Sequence, residues 1–127
     1  MIRRGDDWSL EYDDGVVIGR FGAEMPLSAF EQEAFPAFEE ILTRHRDDIV
    51  ATADRVELGN AIGDDVLEIW EAAARESSQL PNYERAALVA DGILKHGLKR
   101  QLRVPDAEIE TFEDLDRAIH WARTGEQ

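Results

Sequence analysis

The chain has no cysteine, which excludes disulfides, thiolate metal ligands and a cysteine nucleophile. No apolar run approaches the roughly 20 residues needed to cross a bilayer, so membrane insertion is not expected. Lysine is almost missing too: of 14 basic residues only Lys95 and Lys99 are lysines, and the rest are arginine. Four prolines and nine glycines are too thinly spread to make a linker. The 127 residues therefore predict one domain over 1–127, with 1–6 and 124–127 as flexible ends. Arg3 and Arg4 are not followed by the apolar stretch of a secretory signal, so a cytoplasmic address is expected.

Acid is abundant. Against those 14 basic residues stand 28 aspartates and glutamates, a formal charge of −14. A carboxylate-rich, lysine-poor surface is similar to that of proteins from salt-accumulating halophiles, where the Debye length shrinks to about 3 Å at about 1 M salt. At low salt the same charge repels itself. It also argues against nucleic acid, which needs a basic footprint.

Trp8 to Tyr12 alternates apolar and polar residues, and Asp13-Asp14-Gly15 separates it from the β-branched run Val16 to Phe21, which predicts a hairpin with a tight Asp-Gly turn. Ser28 and Glu31 form a capping-box signature ahead of a helix to about His45, with Phe30, Phe35, Phe38, Ile41 and Leu42 at helical spacing. Pro36 falls inside it and should kink or split it. Ile49 to Ala53 is a short buried strand, a loop follows from Asp54 to Gly63, and Asp64 or Asp65 caps a helix that Pro81 stops. Arg85 to Ala90 is the next buried strand, Ile93 to Leu102 a short helix, and Glu108 to Phe112 a last strand that runs into a helix over 113–122. The order ββαβαβαβα predicts an α/β fold: a mostly parallel sheet of four to five strands, packed by helices, with the hairpin as its one antiparallel pair.

Three stretches resemble the SpoIIAA-like members of the STAS and Sec14-related group: Phe35-Pro36-Ala37-Phe38-Glu39-Glu40-Ile41-Leu42 in the first helix, Arg85-Ala86-Ala87-Leu88-Val89-Ala90-Asp91 at a strand end, and Phe112-Glu113-Asp114 to Ala118-Ile119-His120-Trp121 at the close. The resemblance spans nearly the whole chain. It implies a STAS-type fold and a non-enzymatic regulatory or protein-interaction role. In the sporulation regulators that name the group, a serine in an Asp-Ser-Ser-Gly loop is phosphorylated; here Asn60-Ala61-Ile62-Gly63 stands in that place and carries no hydroxyl. The expected partner is an unidentified protein, with a second copy of the chain as an option. The Sec14 side of the resemblance implies an alternative, a small-molecule or lipid carrier whose pocket Phe30, Phe35, Phe38 and Trp70 would line.

The residues offer little catalytic chemistry. His45, His96 and His120 are scattered, carboxylate pairs such as Asp47-Asp48 and Asp64-Asp65 follow from composition, and no phosphate loop or nucleophile elbow occurs. No catalytic residue, metal or cofactor is expected. One stretch departs from the acidic background: Gly92 to Val104 has no acid, while Lys95, His96, Lys99, Arg100 and Arg103 gather on one side of a short helix. This is a candidate docking patch for an anion or an acidic surface, against the plainer reading of a solvated face that offsets the acids elsewhere. With Asn60, Ala61, Ile62, Gly63 and Asp64 it makes the candidate partner surface. Trp8, Trp70 and Trp121 read as core, with Trp8 and Trp121 as options for a half-exposed interface.

Overall fold

The computed structural model describes residues 2–5, 7–22, 27–57, 64–90 and 107–126. Six strands, β1 (Ile2–Gly5), β2 (Trp8–Asp13), β3 (Val16–Phe21), β4 (Ala51–Val56), β5 (Arg85–Val89) and β6 (Glu108–Phe112), form one sheet in that order. The first two pairings are antiparallel and the other three parallel. The α/β class and the mostly parallel sheet stand as expected, but the strands number six rather than four or five, and there are two antiparallel pairs rather than one.

The additional strand is β1. Its Gly5 lies under the Trp8 indole, where any Cβ would collide with the ring. Its Arg3 pairs with Glu40 at 2.9 Å. The hairpin between β2 and β3 turns at Asp14 (φ 47°) and Gly15 (φ 87°), the two positive values that a two-residue turn requires.

Helix α1 (Leu27–Ala29) runs through a π segment (Phe30–Ala34) into α2 (Phe35–Arg44). Ser28 is thus inside the helix rather than at its cap. Pro36 neither splits nor ends the rod, because the π turn just before it, closed by the Phe35 N–H on the Phe30 carbonyl, opens the helix where the ring would meet the preceding turn. Helix α3 (Asp64–Ser78) starts where Asp64 was expected to cap it. Helix α4 (Leu115–Thr124) starts two residues later than expected, since Asp114 adopts an extended conformation and accepts from the Asp116 N–H at 2.8 Å. Gly125 closes it in the left-handed region, its N–H on the Trp121 carbonyl.

Strand alternation sends Leu10, Val17, Phe21, Val56 and Leu88 to one face, where the π segment and α2 cover them. Val16, Ile18, Ala51, Ala53, Ala87 and Val89 point to the other, under Ala118, Trp121 and Ala122 of α4. Trp8 and Trp121 are 7% and 4% exposed, so neither offers an interface. Each Leu, Ile or Val sealed into these layers contributes roughly 1.5–3 kcal/mol. No described helix is long and apolar enough to cross a membrane.

Candidate functional site

Between the sheet and its first helical layer lies a cavity of about 50 Å³. Its floor is Leu10, Phe21, Thr52, Asp54, Ala86, Leu88 and Ile109, from strands β2 to β6. Its roof is Phe30, Ala34, Phe35, Phe38, Ala73, Ala74, Ser77 and Tyr83. Four alanines among these residues leave the space that larger side chains would fill. Since one water needs roughly 10–15 Å³, the space takes a few waters or a small organic group.

One side of this apolar chamber is polar. Thr52 and Asp54 sit two apart on β4 and so share its inner face. Thr52 Oγ1 and the Tyr83 hydroxyl are hydrogen-bonded at 2.7 Å. Ser77 Oγ donates to the Ala73 carbonyl at 3.0 Å. Burial raises the Tyr83 hydroxyl above its ordinary pKa and the nearby Asp54 charge adds to that, while the hydrogen bonds with Thr52 and Ser77 offset part of it.

Asp54 is the anomaly. It stands on a central strand and lines the cavity half-buried, near enough to the Tyr83 hydroxyl for the charges to interact, and no basic side chain shares that lining. Burial pushes its carboxyl up from 3.8 to about 7. Room for it comes from the neighbouring strand. Gly19 is its register partner on β3, and a Cβ there would collide with Asp54 Oδ1 and come within 2.7 Å of the Phe21 ring.

The roof is a seam between α2 and α3 where like charges face each other. Glu76 of α3 is held above the ordinary carboxylate range by burial first and by Glu39 of α2 second. Phe35 belongs both to the cavity and to a shallow outer groove formed with Glu31, Glu68 and Ala72.

A second, open groove lies at the C-terminal ends of the parallel strands, on the α4 side. Arg20, Arg55 and Glu57 line it opposite Glu113, Asp114 and Asp116. Arg20 and Arg55 are register partners and each pairs with an acid, Glu11 at 3.5 Å and Glu57 at 3.7 Å. Arg55 Nε is buried without a hydrogen bond among the described residues.

Of the residues singled out from the sequence, Phe30, Phe35 and Phe38 line the cavity, Asp64 opens α3 and Trp70 falls within it. Asn60, Ala61, Ile62, Gly63, Lys95, His96, Lys99, Arg100 and Arg103 lie outside the described residues. The chain leaves β4 at Val56 and β5 at Val89, so it departs toward both segments from adjacent positions on one sheet edge. His45 stacks on Tyr12, ring centres 3.8 Å apart, and His120 is exposed on α4. No group of acids and histidines able to hold a metal occurs among the described residues.

Sequence reasoning missed Asp54, Thr52, Ser77 and Tyr83. It ended β4 at Ala53, which put Asp54 in a loop; the available signal was the alternation Thr52-x-Asp54-x-Val56 with a glycine in the preceding strand.

A family model described as SpoIIAA-like matches residues 18–123, most of the chain, from within β3 into α4. No match is found among the curated proteins or among the solved structures.

Proposed function

Because the chain belongs to the SpoIIAA-like family, we propose that it is a non-enzymatic regulatory domain that works by binding another protein through the C-terminal edge of its parallel strands. One observation carries this reading: the open, charge-lined groove of Arg20, Arg55 and Glu57 lies at the edge from which the chain leaves β4 and β5 toward the Asn60–Gly63 loop and the basic stretch from Lys95 to Arg103. The carboxyl ends of parallel strands are a common place for α/β sheets to bind ligands. The groove mixes both signs of charge, which favours register and selectivity over indiscriminate attraction. Since Asn60-Ala61-Ile62 offers no hydroxyl, partner binding here proceeds without a phosphoserine switch at that loop. The halophile-like charge fits a cytoplasmic domain that meets its partner in concentrated salt.

Capture of partners from native extract at high salt tests this. The wild-type chain should retain a discrete partner that an Asn60→Arg, Lys99→Glu double variant loses, and light scattering separates a heterologous partner from a second copy. Identical capture by both chains would remove this surface from consideration.

A second reading, a small-molecule carrier, is favoured by the cavity under Phe30, Phe35 and Phe38. As it stands the cavity is too small for a lipid. Native mass spectrometry of protein purified from its source should then show a bound small mass, and a consistently bare chain counts against it.

A further inference from the structure

We propose that the cavity beneath the α2–α3 seam is a binding site for a small primary ammonium compound, with Asp54 accepting hydrogen bonds from the ammonium group and the apolar tail leading out past Phe35. This rests on the carrier reading and adds to it the chemical class of the ligand.

The chamber selects by charge. Every described side chain that lines it is apolar, hydroxylic or, at Asp54, acidic, and none is basic. An anionic head group, carboxylate or phosphate, would meet no counter-charge and would stand beside Asp54. A neutral apolar molecule would fill the space and bring the carboxyl no counter-charge. An ammonium group supplies up to three N–H donors and the missing positive charge, which is the arrangement that lets a buried carboxylate stay ionised. Phe21 and Phe30, stacked with centres 5.3 Å apart, form part of the same lining and add aromatic surface beside the ammonium group.

Gly19 provides the room that holds the carboxyl at the site. A glycine inside a buried strand forfeits packing and weakens the strand. Here its missing Cβ is what admits the Asp54 carboxyl next to the Phe21 ring.

The approach also suits a cation. Glu31 and Glu68 flank the outer groove that shares Phe35 with the cavity, and Glu39 and Glu76 face each other across the seam. A chain with a formal charge of −14 concentrates cations at its surface and repels anions of the same size. Among the described residues Phe35 is the one shared by the groove and the chamber, which places the way in beside it.

The test uses three probes of one shape on the whole chain: butylammonium, 1-butanol and butyrate. They are titrated in about 1 M KCl, which screens adventitious binding to the acidic surface. Side-chain NMR signals of Ala73, Ala74, Ala86 and Leu88 report the cavity, and melting temperature reports affinity. Butylammonium should shift these signals saturably and bind about tenfold or more tighter than 1-butanol, the size of one charge-assisted contact, while butyrate leaves them unmoved. Asp54→Asn should bring the ammonium and alcohol to near parity. Parity of the two in the wild-type chain, binding of butyrate, or an undiminished ammonium preference in Asp54→Asn would overturn the proposal and leave a carrier of neutral molecules standing. No shift at the cavity signals with any probe would overturn both it and the carrier reading. The three-probe comparison on the wild-type chain decides the ligand class even if the variant does not fold.

Discussion

Replacing Asp54 with asparagine should stabilise the protein, and by an amount that depends on pH. The carboxyl titrates near 7 in the folded chain against an ordinary value of 3.8. Each tenfold change in proton affinity corresponds to about 1.4 kcal/mol, so ionised Asp54 costs the folded state up to about 4 kcal/mol. The sign follows from proton counting. Between about pH 4 and about pH 7 the folded chain holds a proton that the unfolded chain has released, so stability falls as pH rises through that window. Above it the full penalty is present, and below it none is. Asparagine keeps the shape and cannot ionise. The difference in unfolding free energy between the variant and wild type should therefore grow by about 3 kcal/mol from about pH 5 to about pH 9, with asparagine the more stable at the alkaline end. Guanidinium denaturation of both chains at matched, high ionic strength measures this, because the remaining acids are common to both and cancel in the difference. A difference that stays flat with pH would refute the assignment of Asp54 as a desolvated, unpaired carboxylate.

Other expectations concern the neighbours of that site and the rest of the fold. Gly19→Ala should destabilise by about 1–3 kcal/mol through overpacking against Asp54 and Phe21, and Asp54→Ala in the same chain should recover most of the loss; additive effects in that double-mutant cycle would mean the two do not touch. Glu76→Gln removes the repulsion from Glu39 across the helix seam and should stabilise at neutral pH by no more than about 1 kcal/mol, an advantage that vanishes in acid. Arg85 donates to the Ala122 carbonyl at 2.7 Å, next to Gly125; Arg85→Met should speed amide exchange in the last turn of α4 and cost about 1–2 kcal/mol, and unchanged exchange there would discount the tether. Melting temperature should climb steeply with added KCl, since self-repulsion at a charge of −14 is screened by salt, and a flat response would undo the halophile-like reading.

What the sequence disclosed and what it hid divide along physical lines. The Asp14-Gly15 turn, the strand Glu108–Phe112 and the helix that follows were legible because each is written in local terms: two positive φ angles, a run of alternation, a cap. The strand Ile2–Gly5 was not, because what holds it is remote: Arg3 reaches Glu40 37 residues away, and Gly5 accepts the Trp8 ring. Pro36 looked like a break because proline removes a donor; that a π turn would absorb it is decided by the packing of Phe30 and Ala34 on the sheet. The aromatic part of the cavity was visible as Phe30, Phe35 and Phe38. Its polar part was not, since Thr52 and Tyr83 meet across 31 residues and a charged Asp54 reads as a strand's end until Gly19 is seen beside it.

The two faces of the sheet are covered at different times. Strands that follow one another in sequence also lie side by side, so the sheet is extended strand by strand as the ribosome delivers it, and α2 and α3 are available to shield the first face as they emerge. The second face has α4 alone among the described residues, and α4 is the last described element made. Until Ala118, Trp121 and Ala122 leave the exit tunnel, Val16, Ile18, Ala51, Ala53, Ala87 and Val89 have nothing described to close over them. Among the described residues that apolar face is thus the later of the two to be covered, and the acidic charge that strains the finished protein helps keep neighbouring copies apart meanwhile.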